Sequence, residues 1–134
     1  MFNRIHHIGV AVSNLDDAVR RYEEELGFHL EGREKVESEE VEVAIFQVGE
    51  SRIELLQSTQ PDGIISRFIE KRGEGIHHLA VEVEDIEREL TELKARGSPV
   101  LDEIPRIGAG GCKVAFIHPK GASGVLLELI EGSR

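Results

Sequence analysis

Hydrophobic and polar positions alternate along Ile5 to Val12. Ile8, Val10 and Val12 fall on one face, and His7, Gly9 and Ala11 on the other, which is the period of a strand. Ser13 and Asn14 then offer helix-start side chains. Leu15, Ala18, Val19, Tyr22 and Leu26 follow helical spacing, and Gly27 is placed to stop that helix. Strands are predicted over Phe28 to Val36, Val41 to Val48 and Arg52 to Gln57, with Gly49-Glu50-Ser51 as a turn. The order then repeats. His77 to Val83 reads as a strand, and Asp85 caps a helix carrying Ile86, Leu90 and Leu93 that Gly97 ends. Strands over Val100 to Ile104, Cys112 to His118 and Val125 to Ile130 complete the set. Ile64, Ile65, Phe68 and Ile69 fit a helix linking the two copies.

The repeat carries chemistry. His6-His7 and His77-His78 open the two copies at an offset of 71 residues (7 to 78), and Gln57 and Glu128 share that offset (57 to 128) near their ends. His7 and His78 lie opposite the Ile/Val and Leu/Val stripes that should pack under helices, whereas His6 and His77 have the other parity and suit hydrogen bonding near the helix layer. A sheet that joins first and last strands would bring His7, Gln57, His78 and Glu128 around one point. Two imidazoles, an amide oxygen and a carboxylate suit a divalent ion with open positions for water or substrate. The absence of thiolates disfavours a closed structural zinc site. The expected architecture is α+β, a single domain over 1–134 in which two paired βαβββ modules form a curved sheet around a metal site. Module 1 spans about 4–60, the linking helix about 61–73 and module 2 about 75–131.

Composition narrows the partners. The formal charge of −10 argues against a nucleic-acid surface, although a local basic patch from residues such as Arg4, Lys71, Arg72, Arg106, Lys113 and Lys120 would still admit an anionic ligand. No apolar run approaches the ~20 residues that span a bilayer. The N-terminus lacks a signal-peptide pattern, so no membrane association and a cytoplasmic location are expected. Cys112 is the only cysteine, and no internal disulfide is possible. The acidic runs Glu23-Glu24-Glu25 and Glu37-Ser38-Glu39-Glu40 read as solvated faces, and Gly108-Ala109-Gly110-Gly111 as a flexible turn or an anion-cradling loop.

Nearly the whole chain resembles the vicinal oxygen chelate superfamily, and within it the methylmalonyl-CoA epimerases. The resemblance rests on His6-His7-Ile8-Gly9-Val10-Ala11-Val12, Ile53-Glu54-Leu55-Leu56-Gln57, Gly73-Glu74-Gly75-Ile76-His77-His78-Leu79-Ala80 and Pro105-Arg106-Ile107-Gly108-Ala109-Gly110-Gly111. Phe116-Ile117-His118-Pro119-Lys120 and Gly124-Val125-Leu126-Leu127-Glu128-Leu129 extend it. It implies a divalent ion (cobalt, manganese, magnesium or zinc) on His7, Gln57, His78 and Glu128, an acyl-CoA substrate and a homodimer. The implied reaction interconverts (R)- and (S)-methylmalonyl-CoA through a metal-stabilised enolate. Glu128 would serve as acid/base on one face, with Glu42 or an ordered water on the other, because Val43 stands where some members carry a second Glu. A glyoxalase I-type lyase, a dioxygenase and a non-enzymatic binding module are the rival readings.

Overall fold

A computed structural model describes residues 2–132. Contacts divide the chain into two compact units, His7–His77 and Met1–His6 with His78–Arg134. Each unit contains the β-α-β-β-β order, so the protein is α+β. None of the described helices is long and apolar enough to cross a membrane.

The unit His7–His77 holds most of β1 (Phe2–Ala11), α1 (Leu15–Arg20), β2 (His29–Val36), β3 (Val41–Val48), β4 (Ser51–Ser58) and α2 (Ile64–Arg72). Its strands lie in the order β2-β3-β4-β1, with β1 parallel to β4 and the other pairs antiparallel. One face of these strands packs on α1. Val12, Leu15, Val19, Ala44, Phe46 and Leu55 form the buried cluster there. Tyr22, Phe28 and Phe46 add ring contacts at 5.4 to 6.2 Å. The expected helix to Leu26 is altered at its end. A wider π turn runs over Arg21–Glu25, closed by Leu26 N–H donating to the Arg21 carbonyl at 3.0 Å, and it leaves Leu26 exposed. Gly27, at φ 82°, takes the left-handed conformation that ends the segment.

The other unit holds most of β5 (Gly75–Val83), α3 (Ile86–Ala95), β6 (Arg106–Ile107), β7 (Lys113–Ile117) and β8 (Leu127–Glu131), in the order β5-β8-β7-β6. β5 is parallel to β8. Val83, Ile86, Leu90, Ala115, Ile117 and Leu129 form the cluster between α3 and its strands. Residues 2–6 of β1 belong to this unit, where Arg4 Nε donates to Glu82 Oε1 at 3.0 Å. The strand expected over Val100 to Ile104 does not form. Val100 makes a single bridge to Ile117, and Leu101 N–H donates to the Phe116 carbonyl at 2.8 Å. The Asp102 carboxylate then accepts the Phe116 N–H at 2.8 Å, in place of a backbone carbonyl. The chain leaves the sheet there and re-enters as the two-residue β6.

α1 and α3 each start on two acceptors. Asn14 accepts the Asp17 N–H of α1 at 3.0 Å, and Asp85 accepts the Arg88 N–H of α3 at 3.1 Å. A second acceptor reaches each helix from the last strand of its unit. Gln57 Oε1 takes the Leu15 N–H at 2.7 Å, and Glu131 Oε2 takes the Ile86 N–H at 2.9 Å. Each therefore satisfies a donor that the helix itself cannot pair. Gln57→Ala should lower the free energy of unfolding by about 1 kcal/mol, the worth of one such bond, measured by urea denaturation.

Candidate metal centre

Strand pairing decides which side chains share a face. In the unit His7–His77, Ile8 sits beside Ile53 and Gly9 beside Glu54, so His7 on β1 and Glu54 on β4 point away from α1. His7 is 1% exposed and Glu54 2%, and His7 Nδ1 lies 3.4 Å from Glu54 Oε2. The other unit repeats this register. Leu79 sits beside Leu127 and Ala80 beside Glu128, so His78 and Glu128 share the face turned away from α3. His78 Nε2 lies 3.0 Å from Glu128 Oε1, and both side chains are buried. Each unit thus carries one buried imidazole–carboxylate pair, built by the same two strands.

This register corrects the position expected from the repeat. If His7 matches His78, then Glu54 matches Glu128 at an offset of 74 residues (54 to 128), and Gln57 matches Glu131 at the same offset (57 to 131). The shared capping roles of Gln57 and Glu131 agree. The second copy is longer by three residues between its helix and its last strand, so an offset of 71 held to the end misplaces β4. Three is odd, and the misplacement also exchanges the two faces. Gln57 lies with Ile53 and Leu55 on the α1 side, and its amide oxygen is engaged by Leu15. The signal available in the sequence was the matching of Ile53-Glu54-Leu55 with Leu127-Glu128-Leu129, a carboxylate flanked by apolar residues in a buried strand.

Glu42 faces the α1 side for the same reason of parity. The β3–β4 register runs unbroken from Val41–Ser58 to Val48–Ser51, with no bulge to turn Glu42 over. Glu42 pairs with Gln57 and shares the α1 side with Ala44 and Phe46. Its carboxylate lies 3.1 Å from Arg33 Nη2, and Asp16 lies 2.8 Å from Arg33 Nη1. The Asp16 hydrogen bond, supported by Glu42, raises the Arg33 pKa above its ordinary value. Val43 is buried, on the same face as Glu54.

The remaining residues singled out by sequence have structural settings. His77 meets the Phe68 ring edge-to-face at 5.0 Å, and His6 is fully buried. Gly108 N–H donates to the Cys112 carbonyl at 2.9 Å, closing the glycine-rich segment as a tight turn between β6 and β7. Cys112 packs against Ala80, Val114 and Ile130. His118 Nδ1 accepts the Lys120 N–H at 3.0 Å.

Burying a charged imidazole or carboxylate costs several kcal/mol even after relaxation, and apolar side chains would fill these positions without that cost. Buried charges of this kind are paired or coordinate metals. Imidazole nitrogen and carboxylate oxygen are donors for divalent first-row ions or magnesium, and both pairs supply them.

The family model described as the Glyoxalase/Bleomycin resistance protein/Dioxygenase superfamily matches residues 6–116. The ethylmalonyl-CoA/methylmalonyl-CoA epimerase of Cereibacter sphaeroides is 37% identical over 96% of this chain and 98% of its own length. The crystal structure of methylmalonyl-CoA epimerase from Mycobacterium tuberculosis is 32% identical, with a TM-score of 0.93 over 99% of this chain and 90% of that one. A methylmalonyl-CoA epimerase solved in complex with methylmalonyl-CoA and ammonium is 33% identical, with a TM-score of 0.94 over 98% and 96%. The chain belongs to the glyoxalase/bleomycin resistance protein/dioxygenase superfamily, in its methylmalonyl-CoA epimerase group.

Proposed function

We propose that this chain is a metal-dependent epimerase that interconverts (R)- and (S)-methylmalonyl-CoA. The observation that carries the reading is the buried imidazole–carboxylate pair, repeated at one register in both units. His7, Glu54, His78 and Glu128 would hold a divalent cation, with Glu54 in the role first given to Gln57. Bound there, the ion would supply Lewis-acid stabilisation for the negative charge that develops on the thioester oxygen.

The chain's own groups do the rest. The substrate's α-hydrogen lies between a thioester and a carboxylate, which makes it acidic for a C–H bond. Glu128 takes that proton from one face of the carbon, and solvent water returns a proton to the other. One proton leaves and one arrives, with no change of oxidation state. Glu128 is buried beside His78, with Ala80 and Phe116 as its neighbours on the adjoining strands, and that burial limits the access of bulk water on its own face. The working assembly is a homodimer, to be checked by sedimentation equilibrium.

The decisive measurement is exchange of the α-hydrogen of methylmalonyl-CoA in deuterated water. Exchange should stop on chelation and return with cobalt or manganese; exchange that resists chelation would remove the ion from the reaction. Absence of exchange in the metal-loaded protein, with turnover of the methylglyoxal–glutathione adduct instead, would replace the epimerase reading by a lyase. Glu54→Ala should cost at least about tenfold in metal affinity, the loss already produced by removing a group that only orients a ligand, whereas Gln57→Ala should leave metal content unchanged by elemental analysis. Glu42→Gln should leave turnover within about twofold in both directions, since losing an exposed ion pair is worth no more than ~1 kcal/mol and touches no reacting atom.

A further inference from the structure

We infer that Arg106 is a specificity-determining residue that binds the carboxylate of the acyl group. The inference rests on the epimerase reading and deepens it. Arg106 pairs with Val114, Val114 with Ile130, and Phe116 with Glu128, so Arg106 shares a sheet face with Glu128. Its guanidinium stands over the Phe116 ring, 5.6 Å from the centroid. The same ring meets His78 edge-to-face at 5.8 Å. These two contacts in series place the guanidinium no more than about 12 Å from the imidazole.

An acid stands beside it. Asp102 Oδ1 lies 3.4 Å from Arg106 Nε, and Asp102 Oδ2 accepts the Phe116 N–H at 2.8 Å. One carboxylate therefore orients both the cation and the strand that carries the ring beneath it. The Asp102 side chain is 19% exposed and that of Arg106 39%, so the guanidinium borders solvent. A guanidinium suits a carboxylate because its planar fork matches two oxygens. In a chain of net charge −10 it also supplies local positive charge on the face where an anionic substrate must settle. The acyl carboxylate is one bond from the reacting carbon, whereas the phosphates of CoA lie beyond the whole pantetheine arm. Proximity to His78 and Glu128 therefore favours the carboxylate.

The test compares wild type, Arg106→Gln and Arg106→Lys, each loaded with cobalt, on two substrates: methylmalonyl-CoA and the methylmalonyl thioester of N-acetylcysteamine, which has no phosphate. Arg106→Gln should raise KM by about 10- to 100-fold on both, the worth of a charge-assisted hydrogen bond, with a smaller change in kcat. Arg106→Lys should recover part of the loss. Metal content and melting midpoint should stay at wild-type values. A KM rise confined to the CoA ester would assign the cation to a phosphate and overturn the inference, and so would an unchanged KM on both. If wild type exchanges the α-hydrogen of neither substrate, the epimerase reading itself fails, which is a separate outcome.

Discussion

A β-strand has two faces, and in each unit a helix covers one of them. That constraint organises everything else in this protein. α1 lies on Val12, Ala44, Phe46 and Leu55, and α3 on Val83, Ala115, Ile117 and Leu129. The side chains between these positions must face the other way, and there the chain keeps His7 with Glu54 and His78 with Glu128. Apolar packing and polar chemistry are thus separated by nothing more than alternation along four strands.

The polar face does not stabilise the fold in any simple sense. Two buried imidazole–carboxylate pairs replace what hydrophobic residues would supply at about 25 cal/mol for each Å² removed from water. The apolar clusters on the helix side carry that burden, helped by the double caps that hold α1 and α3 to their strands. Gln57 and Glu131 matter here because they come from the strand that also carries Glu54 or Glu128. Seating the helix fixes the strand, and the strand fixes the carboxylate three residues earlier.

Asp102 plays a comparable part at the other edge of its sheet. By accepting the Phe116 N–H it substitutes for a missing ladder partner, and by meeting Arg106 it orients a cation above the Phe116 ring. A local break in the strand pattern becomes the support for a polar group on the same face as Glu128.

Much of this was legible in the chain itself. Period-two alternation placed His7 and His78 away from the helices, and Asn14, Gly27, Asp85 and Gly97 marked helix ends, because these are local effects of backbone geometry and capping. The register of β4 against β1 was not local. It depends on loop lengths and on how α1 seats, and a shift of three residues turned attention to Gln57 when Glu54 stands beside His7. The β3–β4 ladder likewise assigned Glu42 to the α1 side. Asp102 could enter the β7 ladder only once β7 and the incoming segment had met, so the loss of the strand over Val100 to Ile104 belongs to tertiary structure. Sequence determined which residues alternate; packing determined which of them are neighbours, since a strand's partner is chosen by the whole sheet and not by the strand.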